Sequence, residues 1–266
     1  MFVVIGERIN TSRPAVREAT EKRDVEYIQD DVKKQQAAGA TFIDVNAGAR
    51  IGHESEDMKW LLEVIQPVVD IPICLDSPDP AVLETAYGMV TRPPMINSIS
   101  LESERYETML PFLKGKDVSV IALCMDDTGL PLDADDVVAR AKKLAAGLED
   151  AGIARDRIFV DPLIQPISTD QTKGLMTLEA VGRIAAELPG IHFTCGLSNI
   201  SYGLPQRKVV NRAFLTLLMG VGLDGAIIDP LDDAIMAVVK TTEMLRGNDE
   251  YCMDYIDAVR AGQILA

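Results

Sequence analysis

Eight short apolar runs, rich in residues that favour β-strands, recur along the 266-residue chain and constrain its fold more than any other feature. The runs are continuously apolar and do not alternate with polar residues. This pattern is typical of strands covered on both faces, as in a parallel sheet. The predicted strands are Phe2–Ile5, Thr41–Val45, Ile71–Leu75, Pro94–Ile96, Val118–Leu123, Ile158–Val160, His192–Thr194 and Gly225–Ile228.

Helical patterns separate these runs, and two of the patterns stop at a glycine, Gly39 or Gly152. The predicted helices are Asp24–Ala38, Ser55–Val69, Pro80–Val90, Glu102–Leu113, Ala134–Ala151, Leu175–Leu188, Gln206–Met219 and Leu231–Leu245. Regular strand–helix units, with no linker between them, predict a single (β/α)8 TIM barrel spanning residues 1–266, an α/β fold that usually needs roughly 250 residues. A doubly wound open sheet is the alternative.

Composition and charge indicate which kinds of partner and which cellular environment to expect. The net charge of −15 would repel a phosphate backbone, so we expect no nucleic-acid partner. Apolar runs such as Phe214–Met219 are far shorter than the ~20 residues of a membrane span, and Met1–Ile5 lacks the basic start of a signal peptide. The four cysteines are far apart and form no CxxC pair, which is typical of reduced thiols in a cytoplasmic protein.

The sequence motifs argue against several types of active site. No GxGxxG or GxxxxGK[ST] follows a predicted strand, so neither a dinucleotide site nor a P-loop is indicated. With only two histidines, His53 and His192, a Ser-His-Asp triad or a metal site is improbable, and we predict no metal. Asp76 and Asp161 would suit a retaining glycosidase if they stood ~5 Å apart. However, the chain has a single tryptophan, in a predicted helix, and no aromatic sugar platform.

Polar residues cluster where the predicted strands end, which is where barrel enzymes carry their chemistry. The ends read Gly6–Asn10, Asp44 to Asn46, Asp76-Ser77, Asn97-Ser98, Met125-Asp126, Asp161-Pro162, Ser198-Asn199 and Asp229. Any one of these residues has an ordinary explanation as a helix cap. Together they form a ring rich in carboxylates and amides and poor in cations. Such a ring suits a flat heterocycle with N–H donors and carbonyl acceptors, for example a pterin or a purine.

The stretch TCGLSNISYG, residues 194–203, poses a separate question because it contains no acid, base or strong nucleophile. It is either a plain strand-to-helix turn or a turn that presents Asn199 to a ligand. Gly196 is the only hint of a glycine-rich anion site after the late strands, and simple turn geometry explains it equally well.

Seven short motifs stand in an order and spacing that resemble the pterin-binding methyltransferases. They are VIGERIN, DVNAG, CLDS, MINSIS, DPLI, GLSNIS and NRAFL. The resemblance is closest to the methyltetrahydrofolate:corrinoid protein methyltransferases, which are related to the folate module of cobalamin-dependent methionine synthase and more distantly to dihydropteroate synthase. It implies a (β/α)8 barrel and methyl transfer between N5 of tetrahydrofolate and the cobalt of a corrinoid (cobalamin). It also implies that a separate corrinoid protein carries this cofactor, and that the chain is a homodimer.

The resemblance also implies roles for individual residues. Asp76 would accept hydrogen bonds from the pterin ring of tetrahydrofolate or 5-methyltetrahydrofolate, Asn97 would pair with the ring edge, and Asp161 would hold the amino-pyrimidine portion. Asn199 would lie beside N5 as the catalytic residue, because an amide can turn either its oxygen or its nitrogen toward that atom. The remaining candidate binding residues are Asn10, Asp44, Asn46, Met125, Asp126, Ser198 and Arg207, the last near the folate tail or ring.

The sequence alone leaves open the role of Asp126, the choice among related functions and the direction of methyl transfer. Related sequences often have an amide at the position of Asp126, so the CMDDTG segment departs from the family pattern. The chain has no DxHxxG corrinoid-binding motif, in keeping with one module of a multi-protein system. A dihydropteroate synthase and a non-catalytic folate-binding barrel are the alternative functions. The direction of methyl transfer is not determined.

Overall fold

The computed structural model describes residues 2–264, and within them eight parallel strands form one sheet. The strands are β1 (Val3–Asn10), β2 (Phe42–Asn46), β3 (Ile73–Asp76), β4 (Met95–Leu101), β5 (Ser119–Asp126), β6 (Ile158–Asp161), β7 (His192–Phe193) and β8 (Gly225–Ile228). They are ordered β7-β6-β5-β4-β3-β2-β1-β8, so sequential strands are neighbours and β1 pairs with β8.

The sheet closes almost completely into a barrel. Between its two ends, a parallel bridge joins Gly196 to Ile227, and the backbone N–H of Ile227 donates to the carbonyl of Cys195 at 3.0 Å. Gly225 allows the last strand to approach, because a Cβ there would lie 2.7 Å from the carbonyl oxygen of Phe193. The prediction of a (β/α)8 barrel is therefore confirmed, and the open doubly wound sheet is wrong.

Helices cover the outside of the barrel. They are α1 (Pro14–Lys22), α2 (Val25–Ala37), α3 (Glu54–Ile65), α4 (Pro80–Tyr87), α5 (Ser103–Leu113), α6 (Ala134–Asp150), α7 (Lys173–Glu187), α8 (Arg207–Val221), α9 (Asp233–Leu245) and α10 (Met253–Arg260). All eight predicted helices form, although α3 and α4 end earlier than predicted. Helices α1 and α10 were not predicted. Neither has a side-chain N-cap, since Arg13 and Cys252 precede them, so the sequence gives little signal for their starts.

Across residues 2–264, the helices are all too short or too polar to cross a bilayer.

Three strands run three or more residues further than their apolar segments. Strands β1, β4 and β5 continue to Asn10, Leu101 and Asp126, whereas the predicted strands stop at Ile5, Ile96 and Leu123. The extensions contain polar residues because they reach the open mouth of the barrel, where an inward side chain no longer needs to be apolar. The strand β3 instead begins later than predicted, at Ile73 and not at Ile71. The reason is that Pro72 has no N–H group to donate to the neighbouring strand.

The lower interior of the barrel is filled by a small apolar cluster of its own. Its buried members are Ile5, Cys74, Met95, Ile121 and Phe159, and Phe42 packs against them. Side chains alternate along a strand, so residues two positions further on point to the same side. Asp44, Asp76, Asn97 and Asp161 each follow a residue of this group by two positions, which places them in the next layer toward the mouth.

A histidine–aspartate pair links β7 to the residue that precedes β8, where the barrel closes. Nδ1 of His192 lies 2.6 Å from Oδ2 of Asp224, whose other oxygen accepts from the backbone N–H of Phe193 at 2.8 Å. The imidazole also stacks on the ring of Phe159, with 5.1 Å between ring centroids. Because β7 has only two residues, this side-chain pair supplements a short ladder.

Stability is expected to depend on pH through His192. Its hydrogen bond to Asp224 raises the pKa of His192 above 6.5. A raised folded-state pKa stabilises the protein fully below the unfolded pKa, and this contribution is lost as pH rises through the folded pKa. We therefore expect His192→Gln to lower the free energy of unfolding by no more than about 1 kcal/mol at about pH 6, and by less at about pH 9. Urea titration at both pH values measures the effect.

The control is His53→Gln, because the side chain of His53 is 54% exposed. We expect this variant to match the wild-type protein at both pH values. An effect of His192→Gln that is equal at the two pH values would show that lost packing, and not charge, accounts for its contribution.

Candidate active site

Strand register brings four predicted site residues side by side at the barrel mouth. Asn10 pairs in register with Asn46, Asn46 with Asp76, and Asp76 with Asn97. The amide of Asn46 donates to Oδ2 of Asp76 at 2.9 Å and accepts from the backbone N–H of Gly48 at 3.0 Å, which fixes its orientation. These contacts order one side of the mouth before any ligand arrives.

A cavity of about 270 Å³, called here the ring cavity, opens beside these residues. Its volume is close to the lower end of the range for small-molecule sites. The residues that line it are Glu7, Asn10, Ser12, Arg13, Asp44, Asp76, Asn97 and Ile227. The ring cavity thus combines carboxylates and amides with one apolar wall, as the sequence predicts for a flat polar ring.

Asp44 is the most buried carboxyl group of the ring cavity, with 2% of the residue exposed. Burial, and then the negative charge of Asp76, raise the pKa of Asp44 well above its usual range. Its Oδ1 atom is buried and, among the described residues, has no hydrogen-bond partner. A buried acceptor without a donor costs about 1–3 kcal/mol. A ligand N–H group reaching this oxygen would remove that cost.

Arg105 supports the neighbouring strand ends from outside. Its guanidinium donates to the carbonyl of Ser98 at 2.7 and 3.0 Å and to that of Ser77 at 3.0 Å, and it also bonds the carbonyl of Pro78. The peptide bond between Asn97 and Ser98 is cis. Burial raises the pKa of Asp76, while the hydrogen bond from Asn46 and the charge of Arg105 oppose the rise. Arg105 therefore connects the turns that follow β3 and β4.

Asp161, at the end of β6, is held by its own turn. Only 8% of the residue is exposed, and Oδ1 accepts from the backbone N–H of Leu163 at 2.8 Å. Burial raises the pKa of Asp161 to about 7. Near neutral pH this carboxyl group is therefore present in both its charged and its neutral form, so it can accept hydrogen bonds or donate one.

The TCGLSNISYG segment forms a 3-10 turn, Leu197–Ser201, beside the closure of the barrel. The side chain of Asn199 is exposed on this turn. A Cβ at Gly196 would lie 3.2 Å from Nδ2 of Asn199, so glycine leaves room for the amide. Gly196 has φ −74°, which any residue adopts, so close approach and not backbone freedom accounts for the glycine.

Arg207 braces the same turn. It donates from Nη2 to the carbonyl of Ser198 at 2.7 Å and from Nε to Oγ of Ser201 at 3.1 Å. These bonds fix the backbone on both sides of Asn199. Contact between Arg207 and a folate tail or ring, which the resemblance implies, stays a prediction.

The end of β5 holds Met125 and Asp126 on another part of the mouth. The carboxylate of Asp126 accepts from the N–H and hydroxyl of Thr128 at 2.9 and 2.6 Å and lies 3.2 Å from Nη2 of Arg140. The hydrogen bond from Thr128 lowers the pKa of Asp126. The carboxylate is thus engaged in its own turn, and a role for Met125 or Asp126 in ligand binding stays a prediction.

Glu7 is a site residue that the sequence reasoning missed. It lines the ring cavity and also a second cavity beside β8. Burial, and then the charge of Asp229, raise the pKa of Glu7 to about 7, against the opposing charges of Arg13 and Arg8. Its position in VIGERIN, at a strand end, was a usable signal. Within that segment only Asn10 is predicted from sequence to bind the ligand.

Within residues 2–264, no group of three or more His, Cys, Asp or Glu side chains is arranged to hold a metal ion.

Fold and site together define a class of protein: a (β/α)8 barrel whose mouth carries buried carboxylates and amides that suit a flat ring with many N–H donors. Comparison with known proteins specifies the family. The family model described as "Pterin binding enzyme" matches residues 6–229, and the chain belongs to this family.

Named relatives support the predicted kinship with methyltransferases. The chain is 36% identical to the methylcorrinoid:tetrahydrofolate methyltransferase of Eubacterium limosum over 265 residues, which is 99% of this chain and 98% of that protein. It is 31% and 30% identical to the methionine synthases of Mycobacterium tuberculosis and Mycobacterium leprae. Those matches cover 85% of this chain but only 20% of each methionine synthase. The prediction of a methyltransferase from a pterin-binding family is thus confirmed.

Solved structures share the fold at low identity. Dihydropteroate synthase from Vibrio fischeri has a TM-score of 0.73 at 18% identity, and the match covers 92% of this chain and 93% of that one. Dihydropteroate synthase from Xanthomonas albilineans, in complex with 7,8-dihydropteroate, has a TM-score of 0.70, also at 18% identity, with coverage of 93% and 92%. At this identity the likeness shows the barrel fold alone.

Proposed function

We propose that this protein transfers a methyl group between the cobalt of a corrinoid, carried by a separate protein, and N5 of tetrahydrofolate. One observation carries the proposal: an exposed amide, Asn199, stands on a braced turn at a mouth whose ring cavity suits a pterin. No strong protein nucleophile is needed there, because the nucleophile and the leaving group both arrive with the substrates. The nearly full-length relative named for this reaction supports the same reading.

The ring cavity accounts for pterin binding. Asp76, in its lining, accepts hydrogen bonds from the ring N–H groups, and Asn97 pairs with the edge that carries both donors and acceptors. Asp161, at the end of β6 and outside this lining, accepts from the amino group. The unpartnered oxygen of Asp44 receives a further N–H group at the bottom of the cavity. Asn10 completes the wall, Asn46 orients Asp76 through its hydrogen bond, and Glu7 lies between the two cavities.

The chemical step follows from these positions. The lone pair of N5 attacks the methyl carbon of methylcob(III)alamin, the N5–C bond forms, and the C–Co bond breaks. Both electrons of that bond stay on the metal, which leaves as cob(I), and N5 then releases its proton. Oxygen Oδ1 of Asn199 accepts from the N5–H group as positive charge develops on N5. In the reverse direction, Nδ2 donates to unprotonated N5 of 5-methyltetrahydrofolate. N5 then takes up a proton from solvent, Asn199 turns Oδ1 toward the N5–H group, and cob(I) attacks the methyl carbon as the N5–C bond breaks.

The physiological setting is part of the same proposal. The corrinoid protein is the macromolecular partner, folate is the small-molecule substrate, and neither nucleic acid nor membrane takes part. The chain acts as a cytoplasmic homodimer of single-domain subunits, residues 1–266. We take transfer toward tetrahydrofolate as the working direction, within a multi-component demethylation or one-carbon pathway.

A spectrophotometric assay tests the function. Methylcobalamin is incubated with tetrahydrofolate and the protein under anaerobic conditions, and we expect its absorbance to decay only when all three are present. Calorimetry with tetrahydrofolate alone measures binding separately. Binding with no decay, from free methylcobalamin or from any methylated corrinoid protein, would establish a non-catalytic folate-binding barrel. Formation of dihydropteroate from an aminobenzoate and a pterin pyrophosphate would instead establish the synthase alternative.

Arg105 is expected to act as a positioning residue for pterin binding. Arg105→Met removes the hydrogen bonds to the Ser77 and Ser98 carbonyls while keeping an unbranched side chain. We expect the affinity for tetrahydrofolate to fall about 10- to 100-fold, because hydrogen bonds from a charged group contribute about 1.5–3 kcal/mol. The rate of methyl transfer at saturating folate should change little, since Asn199 lies on another turn.

Calorimetry and single-turnover kinetics separate these two effects. Arg92→Met is the control, because the contacts of Arg92 within residues 2–264 are long ones, to Asp70 at 3.4 Å and to the Val69 carbonyl at 3.5 Å. An equal loss of saturated rate and of affinity in Arg105→Met would contradict the positioning role.

A further inference from the structure

Helix α8 exposes an apolar face, which is unusual for an outer helix of a barrel. The outward positions of such a helix are normally polar. Helix α2 follows this rule, since its exposed positions include Glu26, Asp30, Lys33 and Lys34. The exposed positions of α8 instead recur mainly every four residues and carry small or apolar side chains. We call them the α8 stripe: Val209, Ala213, Leu217, Gly220 and Val221. Val209 and Leu217 are 61% and 55% exposed, so packing within the barrel does not account for them.

Gly220, within this stripe, has no evident purpose inside the chain. Glycine in the middle of a helix is destabilising relative to alanine. Packing can justify such a glycine, as at Gly147, where a Cβ would collide with the hydroxyl of Tyr106. Gly220 has no positive φ, and a Cβ there would meet no atom of residues 2–264 within 4 Å. The missing side chain therefore leaves room for a surface that comes from outside the chain.

Helix α7 widens the apolar face. A Cβ at Gly182 would lie 3.8 Å from Cβ of Val221, so the two helices lie side by side there. Leu175, seven residues before Gly182 and on the same helix face, is 72% exposed. The charged Arg183 is turned toward α6 instead, where it pairs with Asp135 at 2.6 Å. The surface formed by α7 and α8 is thus apolar across both helices.

The charge of the chain indicates that a second copy covers this face. Two chains of net charge −15 repel each other, so a contact between them is best made through a region without carboxylates. Helix α8 contains no Asp or Glu, and residues 213–221 carry no charge. A different partner would gain from binding so acidic a chain through opposite charges, which this face does not offer. Cores of homodimer interfaces are apolar and depleted of charge in the same way.

We propose that the α8 stripes of two copies pack antiparallel across a two-fold axis and form the homodimer interface. The stripe is complementary to itself in size, because this pairing sets Leu217 against the small side chain of the partner's Ala213. It also sets Val209 against the partner's Val221, and Gly220 lets the two helices approach closely. The inference rests on the homodimer of the proposed function and names the surface that forms it.

Analytical ultracentrifugation over a range of concentrations tests the interface, and we expect the wild-type protein to be a dimer. Leu217→Glu places a carboxylate at two symmetric points of an apolar contact, so we expect the dimer dissociation constant to rise at least about 100-fold. Gly220→Gln should also weaken the dimer, although glutamine favours a helix more than glycine does. Leu245→Glu is the matched control, because Leu245 is 73% exposed on α9, and it should dimerise as wild type.

A mixture of two variants tests the antiparallel pairing. Ala213→Lys, like Leu217→Glu, should dimerise weakly by itself, because each new charge would face an apolar side chain of the second copy. In a mixed dimer, the new ammonium and the new carboxylate face each other at one contact, and the other contact is that of the wild type. We expect the mixture to recover the mass of a dimer at concentrations where either variant alone is monomeric. No recovery would overturn the proposed pairing.

The outcomes separate this inference from methyl transfer. A wild-type protein that stays monomeric would overturn the interface and the homodimer, whereas the methylcobalamin assay decides methyl transfer independently. A wild-type dimer that Leu217→Glu leaves intact would overturn the interface alone. If that variant keeps its activity with free methylcobalamin but loses it with a methylated corrinoid protein, the face binds that partner instead. Urea titration shows whether each variant folds, and Gly220→Gln and Ala213→Lys decide the result if Leu217→Glu does not.

Discussion

Replacing Asn199 with alanine is expected to slow methyl transfer by about two to three orders of magnitude, while the affinity for tetrahydrofolate changes little. The amide is exposed on a turn fixed by Arg207, away from the buried carboxylates that hold the ring. Its hydrogen bond matters most when charge develops on N5. Losing it therefore raises the barrier more than it weakens ground-state binding.

Single-turnover absorbance measurements of methylcobalamin decay give the rate, and calorimetry gives the affinity. Asn199→Asp adds a test of mechanism, because a carboxylate accepts a hydrogen bond but does not donate one. We expect this variant to weaken the binding of 5-methyltetrahydrofolate more than that of tetrahydrofolate, because it loses the donor to unprotonated N5, while kcat/KM falls by the same factor in both directions. Asn248→Ala, an exposed amide in the segment after α9, is the matched control and should behave as wild type. A loss of affinity as large as the loss of rate would make Asn199 a binding residue only.

Replacing Asp161 is expected to separate stability from function. Burial raises its folded pKa to about 7, well above the unfolded value of about 3.9. Ionisation is therefore favoured in the unfolded state. The wild-type protein loses stability as pH rises between these values, and the deficit is complete above about pH 7. We expect Asp161→Asn, which keeps an oxygen for the Leu163 N–H, to raise the free energy of unfolding by about 2–4 kcal/mol at pH 8.

The same substitution should weaken tetrahydrofolate binding at least about tenfold, because an amide replaces one of the two acceptor oxygens with an NH2 group, which cannot accept from the N–H donors of the ring. Asp161→Ala should weaken binding further. Urea titrations between pH 4 and pH 8 measure the stability, and calorimetry measures the binding. The control is Asp150→Asn, an exposed residue at the end of α6, which should shift neither. Unchanged folate affinity in Asp161→Ala would refute its assigned role, and equal stability of Asp161→Asn and wild type at pH 8 would contradict the charge-burial argument.

Much of the candidate site was predictable because a parallel barrel gathers its strand ends. Asp76, Asn97 and Asp161 are far apart in the chain, yet each follows an apolar run, so their convergence needs only the fold class. Alternation then decides which side chains point inward. Cys74 precedes Asp76 and Met95 precedes Asn97 by two positions, and both belong to the interior cluster.

Other features were invisible because no local pattern encodes them. Arg105 sits in an outer helix as an ordinary polar residue, and only packing brings it to the Ser77 and Ser98 carbonyls. Glu7 lay within a quoted motif, but its place between two cavities depends on where β8 and α8 lie. Helix α1 lacks a side-chain N-cap, so Pro14 in its first turn is the main sequence signal of its start.

The sequence by itself determined the barrel, the ring of carboxylates and amides at its mouth, and the family. Hydrophobic periodicity and the composition of the strand ends are local properties, so they can be recognised in the sequence alone. Only the tertiary structure decided how the groups behave, because burial and hydrogen bonding depend on neighbours that are distant in the chain. Burial raises the pKa of Asp161 and of Glu7 to about 7. Packing around α8 leaves Oδ1 of Asn211 and Nε of Arg212 buried and without a hydrogen-bond partner among the described residues.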